Sequence, residues 1–81
     1  MYVIAIPNRI TRKYQFITFS NKLVDYVEKD AIMSYYTANK IYSEIKKTAF
    51  KESLMINLLD ILLDHNKLVD GLINEKFPIG D

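Results

Sequence analysis

The sequence predicts an α+β domain: a small antiparallel three-stranded sheet from the N-terminal third, packed against two or three C-terminal helices. Three observations carry that expectation. Residues 1–27 contain three short runs of β-branched and aromatic side chains, separated by Pro7, Asn8, Ser20 and Asn21. From Ala31 to Asp70 there is neither Gly nor Pro, and apolar residues recur at helical spacing. The chain has 81 residues, 49% of them apolar and 26% charged, which suits one folded domain spanning 1–81.

Tyr2–Ile6 is the first strand, with Pro7 as its stop. Asn8 to Lys13 form a polar loop. Tyr14–Phe19 is the second strand, and its alternation places Tyr14, Phe16 and Thr18 on one face and Gln15, Ile17 and Phe19 on the other. Ser20-Asn21-Lys22 is a turn, because Asn21 tolerates a left-handed backbone at low cost. Leu23–Val27 is the third strand, and a meander joins all three.

Thr37 is the expected N-cap of the first helix, its hydroxyl taking up first-turn amide protons. Ala38, Ile41, Tyr42, Ile45 and Ala49 follow at helical spacing. The apolar stripe then shifts round at Phe50, so the spacing predicts two helices, about 37–47 and 49–64, with Thr48 capping the second. Eight of the ten residues from Leu54 to Leu63 are apolar, which leaves a thin polar stripe of Ser53, Asn57, Asp60, Asp64 and Lys67. A helix apolar around most of its circumference needs cover around most of it. A chain this short has little to supply, so a second molecule is expected to provide part, either a copy in a homodimer or another protein. Leu68, Val69, Leu72 and Ile73 continue the helical spacing past Asp64-His65-Asn66, although Gly71 weakens that helix by roughly 1 kcal/mol relative to Ala. The tail carries Phe77 and Ile79, either folded back on the core or exposed.

Composition narrows function mainly by exclusion. With no cysteine there is no disulfide, thiol nucleophile or cysteine zinc site, and a reducing cytoplasm is the expected location. The run Tyr2–Ile6 lacks a preceding basic segment and is too short for a signal peptide, and Leu54–Leu63 falls short of the ~20 apolar residues that span a bilayer, so no membrane partner is expected. The only histidine, His65, beside Asp64 and near Asp60, has no second His or Cys to complete a zinc site and reads as a surface or helix-end residue. Two glycines, Gly71 and Gly80, cannot build a phosphate-cradling loop, and no Gly-x-Ser-x-Gly turn is present. No cofactor, metal or enzymatic activity is expected.

Two surfaces remain. Arg9, Arg12 and Lys13 place three cations in five residues, with Tyr14 next in the chain as a stacking ring, which is the pattern of a phosphate-contacting loop. The sequence pI of 7.9 is low for a dedicated nucleic-acid binder. Residues 1–24 carry Arg9, Arg12, Lys13 and Lys22 with no acid, whereas residues 52–81 carry six acids against Lys67 and Lys76. The second surface is aromatic. Of six tyrosines, Tyr35, Tyr36 and Tyr42 cluster at the start of the first helix, and tyrosine suits protein interfaces because it offers area and a hydroxyl with few rotors. With Leu54, Leu58, Ile61 and Leu62 they form the expected protein interface.

The stretch Asp30–Ile45 resembles an element common in small accessory proteins of Gram-positive phages and mobile elements. In those proteins a strand leads through a short turn bearing Ala, an aromatic and Thr into a capped helix. Ala31, Tyr35 and Thr37 occupy those positions here, while Ile41 stands where those proteins usually have Ala. The match covers 16 of 81 residues and implies an origin rather than an activity. The leading expectation is therefore a non-enzymatic protein-binding or inhibitory accessory protein that occludes a host protein, counter-defence of the anti-CRISPR kind being one form. The alternative is a dimeric nucleic-acid-binding or regulatory module using residues 9–13.

Overall fold

The computed structural model of the protein describes residues 1–48, 50, 52–60 and 69–79. The fold is a small α+β domain with one antiparallel sheet of four strands, one more than expected. The strands are β1 (Tyr2–Asn8), β2 (Lys13–Ile17), β3 (Leu23–Val24) and β4 (Leu54–Asn57), in the order β3-β2-β1-β4. Two α-helices lie among the described residues, α1 (Tyr35–Ile45) and α2 (Val69–Lys76), with 3-10 turns at Lys29–Ala31 and Leu58–Asp60.

The helices cover opposite faces of the sheet. Val3 and Ala5 of β1 pack with Tyr14, Phe16, Ile56, Leu58 and Ile73 of α2. Ile4 and Ile6 point the other way and pack with Ile17, Met33 and Ala38 of α1. Because β1 is central and both its faces are covered, an unbroken apolar run is what it needs. Val3, Ile4 and Ala5 are fully buried. In the tail, Phe77 and Ile79 fold back onto the α2 side of the core.

The largest correction concerns the run from Leu54. Its described part is not α-helix: Leu54–Asn57 pairs with β1 as Ala5↔Leu54, Ile4↔Met55, Val3↔Ile56 and Tyr2↔Asn57, and Leu58–Asp60 is a single 3-10 turn. Each face of the sheet has its own cover, so a strand can be apolar on both sides and mimic a nearly all-apolar helix in sequence. Ser53, assigned to the polar stripe, is buried and donates its hydroxyl to the Phe50 carbonyl at 2.6 Å. Residues 61–68, including Ile61, Leu62, Asp64, His65 and Lys67, lie outside the described residues.

Smaller corrections have local causes. Pro7 does not stop β1 but pairs opposite Tyr14 within it. Tyr2 exchanges both backbone hydrogen bonds with Met33, at 2.8 Å each, so even-numbered residues of β1 bond away from β4 and odd-numbered ones toward it. Pro7 is odd and lies beyond the last β4 pair, so the N–H it lacks had no strand partner to serve. The first helix begins at Tyr35 rather than Thr37, because Ser34 is the N-cap and its Oγ accepts from the Thr37 amide. Thr48 does not cap a second helix. Its hydroxyl donates to the Ile45 carbonyl at 2.6 Å and accepts from the Phe50 amide, closing α1 and turning the chain toward β4. The third strand is only Leu23–Val24, since Asp25 leaves the ladder and accepts from the Gln15 side chain. The turn before it has Asn21 at φ 63°, the left-handed backbone expected of it.

Candidate functional site

Two concave surfaces are lined by described residues, one against α1 and one beside the β1–β2 hairpin. The groove on the α1 side, about 410 Å³, runs between α1 and the turn that follows β2. Phe19 and Tyr36 stand over it, 59% and 79% exposed, and Ile41 contributes to its apolar wall. Asn21, Lys40 and Glu44 supply polar groups at the rim. The local sequence explains the exposure. Phe19 follows Thr18, whose buried hydroxyl accepts from the Lys22 amide and commits the chain to a turn, so Phe19 is carried past the end of the strand. Tyr36 lies in the first turn of α1, where the Ser34 cap fixes the direction of entry.

Of the three tyrosines singled out in the sequence, the structure leaves two exposed, and one of them lies at the groove. Tyr36 borders the groove. Tyr35 is 56% exposed and sets its ring edge-on against Tyr2, with centroids 5.3 Å apart at 67°. Tyr42 is half-buried: its hydroxyl donates to the Ser53 carbonyl at 3.1 Å, and the Lys46 ammonium sits 5.3 Å from its ring centre. It braces α1 against the approach to β4. Leu58 is buried and Leu54 half-buried in the core, so neither presents an apolar surface as a helix face would. Phe19 was not identified from sequence, where alternation made it an ordinary strand residue. The signal for it was the Ser20-Asn21 turn immediately after.

The basic loop is arranged differently from its sequence pattern. Asn8 turns the chain by accepting from the Ile10 and Thr11 amides, and Arg12 closes the hairpin with φ 58°. Arg9 makes a forked ion pair with Glu52, its Nη2 lying 2.8 Å from Oε1 and 2.6 Å from Oε2. The basic start of the chain is thereby tied to the acidic second half. Tyr14 is not a stacking ring. It is buried, and its hydroxyl donates to the Phe77 carbonyl at 2.8 Å. Burial raises the pKa of that phenol, because the charged form would lose its hydration. The second concave surface, about 390 Å³, opens beside this hairpin, with Lys13, Gln15, Asp25 and Asn74 in its lining and Tyr26 as its exposed ring.

Among the described residues no group of three or more His, Cys, Asp or Glu side chains is placed to hold a metal ion. Among the same residues no helix is long and apolar enough to cross a membrane. No family model matches the chain, and neither a curated protein nor a solved structure matches it.

Proposed function

We propose that the protein is a small non-enzymatic binding protein that occludes a partner protein, docking through the groove beside α1. The observation that supports this is the pair of large exposed aromatic rings, Phe19 and Tyr36, over a cavity with an apolar wall and a polar rim. Buried aromatic anchors surrounded by polar groups carry much of the energy of protein interfaces. The expected occupant is a segment of a folded protein that inserts one apolar side chain between Phe19 and Tyr36 and meets Asn21, Lys40 and Glu44 with polar groups. Nothing in this surface calls for chemistry on the bound partner, so its effect is to exclude competitors.

The origin we propose, a phage or mobile element of a Gram-positive host, rests on the likeness of Asp30–Ile45 to accessory proteins of that kind. The target would then be a host cytoplasmic protein, with counter-defence as one concrete role. The nucleic-acid reading has less support. Arg9 is engaged by Glu52, Tyr14 belongs to the core, and Asp25 puts a carboxylate in the same cleft as Lys13.

The test is capture from a Gram-positive host lysate on the immobilised protein, run beside a Phe19→Ser/Tyr36→Ala double variant whose folding is checked by circular dichroism. The expected result is a defined host protein retained by the wild type and lost with the double variant. Capture of no specific protein, or equal capture by the folded double variant, overturns the proposal.

A further inference from the structure

The two edges of the sheet are unlike. β3 is two residues long, and Lys22 and Asp25 bracket it with charge. Short, charge-flanked edges resist pairing with another chain. β4, at the other edge, has the sequence Leu-Met-Ile-Asn, with no charge, no proline and no glycine. Among the described residues β1 is its only strand neighbour.

The direction of each β4 backbone group follows from the ladder. Odd-numbered residues of β1 bond toward β4, and the Leu58 amide accordingly donates to the Met1 carbonyl at 2.9 Å. Leu54 and Ile56, opposite Ala5 and Val3, therefore turn their N–H and C=O groups inward. Met55 and Asn57 turn theirs outward. No backbone partner for the Met55 groups or the Asn57 amide lies among the described residues; the Asn57 carbonyl opens the 3-10 turn Leu58–Asp60, and the Asn57 side chain accepts from the Leu59 amide at 3.1 Å.

We propose that this edge pairs antiparallel with β4 of a second copy, about a two-fold axis through Ile56. The edge matches itself. With Met55 opposite Asn57 of the second copy, and Asn57 opposite its Met55, each Asn57 amide donates to a Met55 carbonyl, and each Met55 amide donates to an Asn57 carbonyl through the lone pair that its own 3-10 turn leaves open. The two Ile56 residues meet at the axis as a non-hydrogen-bonded pair, the closer of the two kinds, and their side chains lie on the α2 side of the joined sheet. β4 itself brings no charge to the axis, and the chain's net charge of +1 adds little repulsion. An isologous contact of this kind closes after two copies.

Size sets the strength. A stable interface buries about 800 Å² per partner. Four residues of strand edge fall well short, and the side chains of Met1 and Leu59, 63% and 71% exposed at the end of β4, extend the contact. The dimer is accordingly a weak one that dissociates on dilution. It leaves the aromatic groove free, since Phe19 and Tyr36 line a different surface.

Amide exchange and mass decide the matter together. The full-length protein is followed by light scattering over a tenfold concentration range, and backbone exchange is read by NMR at both ends of it. The expected result is a mass rising from monomer toward dimer, with the Met55 and Asn57 amides slowing at least tenfold while those of Leu54 and Ile56 are slow throughout. Met55→Pro removes an outward N–H and no bond to β1, so it should fold and remain monomeric. If it does not fold, the wild-type exchange pattern still decides. A monomer at every concentration overturns the proposal, whether Met55 and Asn57 exchange fast or are protected by residues of the same chain. So does a dimer in which those two amides stay unprotected, or one that a folded Met55→Pro variant still forms.

Discussion

β1 and β4 lie side by side and read almost alike, yet they occupy opposite situations in the sheet. Both begin as unbroken apolar runs, Tyr-Val-Ile-Ala-Ile in one and Leu-Met-Ile in the other. β1 has a strand on each side and a helix over each face, and from Val3 to Ala5 nothing of it reaches solvent. β4 has β1 on one side, and Leu54 and Met55 are only half-buried. The difference shows that an apolar run specifies burial of its two faces and says little about its edges. Edges are decided by how many strands the rest of the chain supplies.

The sharpest way to break this comparison is to truncate register partners. Ile4 and Met55 face each other on the α1 side. Ile4→Ala should cost about 2–5 kcal/mol in urea unfolding, as a fully buried core residue does, whereas Met55→Ala should cost about 1 kcal/mol because its site already reaches water. Equal costs would mean that β4 is as deeply enclosed as β1.

The covers of the two faces can be tested separately. Ser34→Ala removes the cap of α1 and should lower stability by about 1 kcal/mol, while Thr37→Ala, inside the first turn, should cost less. The reverse ranking would restore Thr37 as the cap. On the other face, Tyr14→Phe removes the hydroxyl that holds the Phe77 carbonyl and should cost about 0.5–1.5 kcal/mol at neutral pH. The pH dependence has a definite sign. The folded state raises the Tyr14 pKa, so above about pH 10 the unfolded chain loses its phenolic proton first and folding stability falls as pH rises. Alkaline unfolding curves of Tyr14→Phe should lack that part of the slope.

The smallest effect has the opposite sign. A Cβ on Gly71 would meet nothing within 4 Å, so Gly71→Ala should raise stability by at most ~1 kcal/mol, read as a higher midpoint in thermal unfolding. A loss would show that the surroundings of α2 are tighter than its open side indicates.

Legibility varied with how local the cause was. The β1–β2 hairpin, the Asn21 turn and a helix over most of 37–47 follow from side chains acting on their own backbone, and sequence was sufficient for them. Ser34 was as readable as Thr37, but the helical spacing drew attention to the later hydroxyl. At the candidate site, Tyr35 and Tyr36 were legible as aromatics clustered at the start of the first helix. Phe19 was not, because its exposure depends on a turn that carries it off the strand. The basic loop looked like a binding element because Glu52 is 43 residues from Arg9 in the chain.

The residues alone were enough to specify an α+β fold with an N-terminal hairpin, a capped helix and more apolar surface than one helix face can hide. Only the tertiary structure decided that Leu54–Asn57 is a strand, that the two helices take opposite faces, and that Tyr14 and Tyr42 turn inward while Phe19 and Tyr36 remain outside. The physical reason is that a continuous apolar run satisfies a helix wrapped by neighbours and a strand covered on both faces equally well. The choice between them depends on a distant backbone, here the open side of β1, offering its hydrogen bonds.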